Sequence, residues 1–183
     1  MRAFVALEVP GPVLESLVAF QDEIRATGAD LKLVEKGNLH FTVKFLGEVT
    51  DAQAGEVRSR LQGLTLRGVE VQVRGAGAFP SPARARVVWA GVAPEHEALV
   101  APVADAVISS LTGIGEEDDR PFKAHITLGR VRSPRNSRQL TELLANNRDR
   151  RFGLARLNKL KFKSSVLTPG GPVYKDLGVY SLG

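Results

Sequence analysis

The sequence predicts a mixed helix-and-strand fold of two similar lobes, each running β-α-β-α-β, related by a pseudo-twofold axis with a cleft between them. Three observations carry that expectation. Two His-x-Thr tripeptides open at His40 and His125, and these are two of only three histidines in the chain. Phe4 and Trp89 stand 85 residues apart, as the two histidines do. Apolar stripes at helical spacing over 14–24 and 99–111 are offset by nearly the same amount. Self-similarity at one fixed offset marks a duplicated unit.

The elements follow in order. Residues 2–7, "RAFVAL", read as a buried strand that Pro10-Gly11-Pro12 ends. Val13, Leu14, Leu17, Val18, Gln21 and Ile24 then keep helical spacing. "NLHFTVKFLG" (38–47) is a strand, "DAQAGEVRSRLQGL" (51–64) a helix with Asp51 as its N-cap, and "VEVQVRG" (69–75) an alternating strand. "GAGAFPSPARAR" at 75–86, rich in Gly and Pro, is the expected crossover. The order then repeats. "RVVWAGV" is a strand, and Val100, Val103, Ala104, Val107, Ile108 and Leu111 make an i, i+3, i+4, i+7 stripe. "KAHITLGRV" is a strand, "NSRQLTELLANN" a helix and "LNKLKFKSSVL" a strand. The expected organisation is one domain over 1–183, with lobes at about 1–80 and 86–165 and a segment 166–183 packing back.

Composition narrows the function classes. With 43 % apolar residues, the chain has ample material for a core. There is no cysteine, so neither disulfides nor thiolate metal sites exist. No run approaches the roughly 18–20 apolar residues of a spanning helix, and the first residues lack the core of a signal peptide. No membrane association is expected, and the cytoplasm is the expected location. Net charge is +5, unevenly spread. From Arg130 to Lys163 there are 11 Lys or Arg against Glu142 and Asp149, a net +9, while the rest of the chain carries −4. A basic third suits a polyanionic partner.

Side chains on a strand alternate, so His40, Thr42 and Lys44 share one face while Phe41, Val43 and Phe45 share the other. Likewise Lys123, His125 and Thr127 oppose Ala124, Ile126 and Leu128. If the lobes pair symmetrically, two His-Thr dyads converge across the cleft. Two imidazoles can then act as general base and general acid on opposite sides of one centre. The Thr42 and Thr127 hydroxyls and nearby cations would hold a phosphoryl group between them. One isolated His-x-Thr would more simply be a buried structural histidine; its repetition on matching strands argues otherwise. His96, in "PEHEAL", has no such setting and is read as a surface residue. The run "GEEDDR" at 115–120 reads as an exposed loop. "GAGAF" is no phosphate loop, since it lacks the Gly-Lys-Ser/Thr ending.

"HFTVKFLG" and "HITLGR" resemble the paired His-x-Thr/Ser signatures of the 2H phosphoesterase superfamily. In form they are similar to the bacterial and archaeal RNA 2′,3′-cyclic phosphodiesterases, also called 2′-5′ RNA ligases. The resemblance covers nearly the whole chain, including "RAFVALEVP", "NLHFTVKFLGEV", "RVVWAGV", "PFKAHITLGRV" and "SSVLTPGGPVYKDL". Val43, where Leu is usual, and Gly129, where many relatives have Ala, are mild departures.

The resemblance implies an α+β fold, bilobal, with antiparallel sheets facing a central groove that holds the active site. It implies hydrolysis of RNA or nucleoside 2′,3′-cyclic phosphate to a 2′-phosphate, with no metal and no cofactor. It carries over His40 as acid, His125 as base, Thr42 and Thr127 as phosphate ligands and Arg130 as the phosphate-site arginine. It places Phe45 and Lys44 along the groove, although the strand's own alternation puts Phe45 in the core. Partners implied are RNA ends or nucleotides bearing the cyclic phosphate, met by a monomer. Rival readings are a 2′-5′ RNA ligase or another RNA-end phosphodiesterase, cleaving a linear phosphodiester, at the same site; a non-catalytic RNA-binding module resting on the basic 130–163 segment; and a metallohydrolase, which would want more ligands at short spacing.

Overall fold

A computed structural model describes residues 1–183. In chain order the elements are β1 (Arg2–Glu8), α1 (Gly11–Ala26), β2 (Leu31–Leu33), β3 (His40–Glu48), α2 (Asp51–Gln62), β4 (Val69–Phe79), β5 (Val87–Val92), α3 (Glu97–Ser110), β6 (His125–Val131), α4 (Ser137–Asn146), β7 (Arg151–Leu157), β8 (Lys159–Thr168) and β9 (Gly171–Ser181). All strand pairings are antiparallel, in the order β7-β4-β5-β6-β3-β1-β8-β9, with β2 alongside β6. The fold is α+β, as expected.

The local reasons are those the sequence offers, with four departures. Thr50, not Asp51, caps α2: its hydroxyl accepts from the Gln53 N–H while the Gln53 side chain accepts from the Thr50 N–H, a closed capping box. The crossover expected at 75–86 is strand as far as Phe79. Its glycines keep the strand usable: Gly75 adopts φ +86°, and Gly77 leaves room for the Trp89 indole, which a Cβ there would meet at 2.5 Å. The strands at 31–33 and 151–157 have no counterpart in the expected order. The closing segment 166–183, expected only to pack back, completes β8 and forms a further strand, β9, in a long hairpin.

Strands are also shared between the halves differently from the 1–80/86–165 split. β4, from the first repeat, pairs with β5 and β7 of the second. β8, from the second repeat, pairs with β1 of the first. Sequence neighbours joined by a short connection pair most readily, and β4 lies directly before β5. The twofold relation survives because the exchange is reciprocal.

One apolar core lies between the helices and one face of this curled sheet. Val5, Leu7, Phe41, Ile126, Leu128, Val71 and Val88 enter it from the strands, and Leu17, Phe20, Ile24, Val57, Val100 and Leu140 from the helices. No helix is long and apolar enough to cross a membrane. The opposite face of the sheet is the groove.

Candidate active site

The two motif strands meet at one residue pair, Phe41 on β3 with Ile126 on β6. Both side chains are fully buried. In an antiparallel register their neighbours follow: His40 stands opposite Thr127, and Thr42 opposite His125, all on the groove face. Diagonal neighbours in such a ladder are about 7–8 Å apart, so the two imidazoles flank a space of phosphoryl size. Beyond this pair the strands part, and β2 takes over the free side of β6 at Gly129, Arg130 and Val131.

Both motif strands carry the same irregularity, and it decides what else reaches the groove. Against β1, Ala6 pairs with Thr42 and Val5 with Lys44, leaving Val43 unmatched. Against β5, Trp89 pairs with Thr127 and Val88 with Gly129, leaving Leu128 unmatched. Each unmatched residue lies three positions after its histidine. A one-residue bulge resets the period-two alternation. Past it, Phe45 and Arg130, each five after a histidine, return to the histidine face.

This corrects two expectations. Phe45 is not core: it is 59 % exposed, opposite Phe4 and with its ring 5.9 Å from that ring. Lys44 is not along the groove: it lies opposite the core residue Val5, is itself buried, and its Nζ sits 3.3 Å from the Glu117 carboxylate. The "GEEDDR" run is otherwise an exposed loop. Arg130 is exposed on the groove side, and its charge bears on both His125 and Tyr174.

His40 stacks on Phe4, ring centroids 5.1 Å apart, with Tyr174 of β9 at 5.8 Å. Burial pushes its pKa down to about 4, and the Lys163 ammonium adds to the shift. Lys163 is held by Asp176, 2.7 Å away, and Asp176 also binds Lys161. The His125 ring stands edge-on to Phe79 at 5.1 Å. Burial lowers its pKa too, partly opposed by the contact between its Nδ1 and the Lys123 carbonyl, 2.8 Å away. A carbonyl only accepts, so Nδ1 carries the proton and neutral His125 offers an unprotonated Nε2. Lys123 Nζ rides over the Phe79 and Trp89 rings at 5.6 and 5.5 Å.

The β6 strand is anchored from behind. Glu97 at the start of α3 accepts from the Ala124 N–H at 2.9 Å. Gln21, buried on α1, donates to the carbonyls of Val34 and of the bulge residue Leu128 at 2.8 and 3.0 Å. His96 is not a surface residue: half-buried, its Nδ1 accepts from the Gln72 N–H at 2.8 Å. No group of three or more His, Cys, Asp or Glu side chains is arranged to hold a metal ion.

Tyr174, Lys163, Phe79 and Lys123 complete the groove, and the roles of the first three were not read from the sequence. A signal existed for Lys163, since Lys159, Lys161 and Lys163 alternate with Leu160 and Phe162. With Arg130, Lys123 and Lys163 about two neutral imidazoles and two hydroxyls, the groove suits an anion that exchanges protons.

The basic third does not form one surface. Arg150 pairs with Glu23 and packs on Phe20 and Phe152, Lys159 and Lys161 pair with Glu8, and Arg138 pairs with Glu142.

Comparison with known proteins gives one answer. The family model described as LigT like Phosphoesterase matches residues 7–89 and 93–174, one stretch for each repeat. The RNA 2′,3′-cyclic phosphodiesterase of Methanothermobacter thermautotrophicus is 35 % identical over 100 % of this chain and 99 % of its own length. That of Archaeoglobus fulgidus is 36 % identical over 98 % and 99 %. A crystal structure from Thermus thermophilus superposes with a TM-score of 0.80 at 28 % identity, covering 100 % of this chain and 98 % of its own. Escherichia coli LigT complexed with 3′-AMP shares the fold, with a TM-score of 0.78 at 23 % identity over 99 % and 97 %.

Proposed function

Because the chain belongs to the LigT-like phosphoesterase family, within the 2H superfamily, we propose that it hydrolyses RNA or nucleoside 2′,3′-cyclic phosphate to a 2′-phosphate, using His40 and His125 as proton carriers. The observation that supports the reading is the Phe41–Ile126 pairing, beside which the two His-Thr dyads neighbour each other on one wall of a cationic groove.

The reaction follows from the groups available. His125 Nε2 takes a proton from water, and the oxygen attacks phosphorus in line with the departing ribose O3′. His40, protonated, gives its proton to O3′ as that bond breaks, so the phosphate remains on O2′. The proton lost by water and the proton gained by O3′ balance, and before the next turnover His125 gives up its proton to solvent while His40 takes one up. The fixed Nδ1–H of His125 supports its role as the base. His40, deprotonated in the free protein, gains its proton beside a bound anion, which offsets the burial and the Lys163 charge that hold its pKa at about 4. Thr42, Thr127 and Arg130 bind the non-bridging oxygens, whose charge must be stabilised as the transition state forms. Phe45, exposed beside Phe4, offers a stacking face to the base. No step needs a metal or cofactor. The reading takes the enzyme as a monomer, since one chain supplies both dyads, and places it in the cytoplasm.

Phosphorus NMR of adenosine 2′,3′-cyclic phosphate incubated with the protein tests this. The expected product is the 2′-phosphate. Accumulation of the 3′-phosphate would overturn the leaving-group assignment, and no turnover of any cyclic phosphate would overturn the function.

A further inference from the structure

The chain holds a second cationic concavity, beyond the end of the motif strand that carries His125. A cavity of about 400 Å³ lies between the β4–β5 connection, the segment after β6 and the start of α4. Arg84, Arg86, Arg132 and Arg135 line it, together with Ser133 and Ser137, and no carboxylate does. All four arginines are exposed, and none forms an ion pair. The Arg135 guanidinium donates only to the Gly28 carbonyl, at 3.2 Å. Asp30 meets this region through its backbone carbonyl, which accepts from the Arg132 N–H at 2.8 Å.

Of the other basic residues of the 130–163 segment, Arg138, Arg148, Arg150, Lys159, Lys161 and Lys163 have carboxylate partners, while Arg130, Arg151 and Arg156, which do not line this cavity, have none. Four guanidiniums left unneutralised around one cavity repel one another and hold counterions. A polyanion that displaces those counterions gains their release. Guanidinium forks match phosphate oxygens in geometry as well as charge.

The cavity also lies beyond one end of the strand that carries His125. β6 leads from His125 through Thr127 and Arg130 to Arg132 just beyond its end, roughly 20 Å at about 3.3 Å per residue. Arg130 and Arg132, two positions apart, continue one line. An RNA ending in a 2′,3′-cyclic phosphate leaves the reacting ribose in one direction only, through its 5′ oxygen. One such exit lined with arginine is enough to hold it.

We propose that this cavity is a subsite for a backbone phosphate several nucleotides upstream of the reacting end, so that the preferred substrate is an RNA chain and not a mononucleotide. The proposal rests on the hydrolytic reading of the groove. Exposed arginines can be replaced without unfolding the chain, so the triple variant Arg84→Ser, Arg86→Ser, Arg132→Ser tests it, with the corresponding triple Lys variant as the charge-keeping control.

Two readouts are needed. In the first, kcat/KM is compared on a cyclic mononucleotide and on a twelve-nucleotide RNA ending in the cyclic phosphate. The Ser variant should match wild type on the mononucleotide and lose about tenfold or more on the RNA, largely in KM, while the Lys variant recovers most of the loss. In the second, the same RNA bearing a terminal 3′-phosphate is titrated by fluorescence anisotropy at several salt concentrations. The slope of log Kd against log salt should flatten by about 0.7, the value for one phosphate no longer neutralised. The binding readout stands even if wild type turns over neither substrate, an outcome that would sink the hydrolytic reading alone. Unchanged RNA binding and kinetics, or equal losses on both substrates, would overturn the subsite. Loss confined to binding of free 5′-AMP would assign the cavity to a separate nucleotide, and loss confined to an acidic peptide would assign it to a protein; either result overturns the proposal.

Discussion

Phe41 on β3 lies directly opposite Ile126 on β6, and through this one pair the two halves of the sheet bring their histidines to a common groove. Both residues are apolar and fully buried, so the junction is held by packing while the polar neighbours on either side stay available for chemistry.

Removing either imidazole should disable the reaction without unfolding the protein. His40→Ala and His125→Ala are each expected to lower kcat by roughly 10²–10⁴-fold. The double variant should be much less than multiplicatively worse, because the two act as a unit. Steady-state kinetics with circular dichroism as a folding control checks this; near-normal turnover in either single variant contradicts the mechanism.

The pH profile should lie on the acid side. Burial holds both imidazoles below 6.5, with His40 at about 4. Since kcat/KM follows the free enzyme's ionisations and needs one proton on the pair, its bell should peak below pH 6.5. The bound anion raises both values, so the kcat bell should sit at higher pH. A kcat/KM maximum in the alkaline range would be incompatible with this pair.

The same depression makes a stability prediction. Unfolded His40 takes its proton near 6.5 and folded His40 only near 4, so the unfolded chain binds more protons between those values. Stability should therefore fall as pH drops from 6.5 to 4, and His40→Phe should flatten that part of the profile. Thermal melts across this range give the comparison.

Arg130→Ala should raise KM and lower kcat together, since its charge serves both the bound anion and the transition state. Phe45→Ala should raise KM with little change in stability, because the ring is 59 % exposed. A large stability loss at Phe45 would mean that it packs as core after all.

Two polar residues behind the groove should matter for folding. Gln21→Ala removes the donor that serves the Leu128 and Val34 carbonyls, and should cost about 1–3 kcal/mol in denaturant unfolding. His96→Ala strips the Gln72 N–H of its acceptor, and should cost about 1 kcal/mol while leaving kcat unchanged. An activity loss at His96 would give it a role this geometry does not support.

Much of this was legible from the residues themselves. The repeated His-x-Thr at an 85-residue offset foretold the twofold arrangement, and period-two alternation foretold that both dyads would leave the core. What alternation could not foretell was its own interruption. The bulges at Val43 and Leu128 depend on how β1 and β5 register against the motif strands, a tertiary property, and they reverse the faces of Phe45 and Lys44. Tyr174 was equally hidden, because 166–183 pairs with β8 in a hairpin before folding over His40. His96 looked idle because its partner, the Gln72 N–H, lies in another repeat element.

The reciprocal exchange of β4 and β8 means that neither repeat completes a sheet by itself. A chain of half the length, carrying one β-α-β-α-β unit, would have a last strand with no place in its own sheet and a first strand lacking a neighbour. Two such chains would satisfy each other by trading last strands, giving an intertwined homodimer with one groove and one histidine from each subunit. Fusing the two copies end to end turns that trade into the β4–β5 and β1–β8 pairings seen here. Separating the repeats at their junction therefore produces two fragments that must find each other again, and neither is a miniature of the whole.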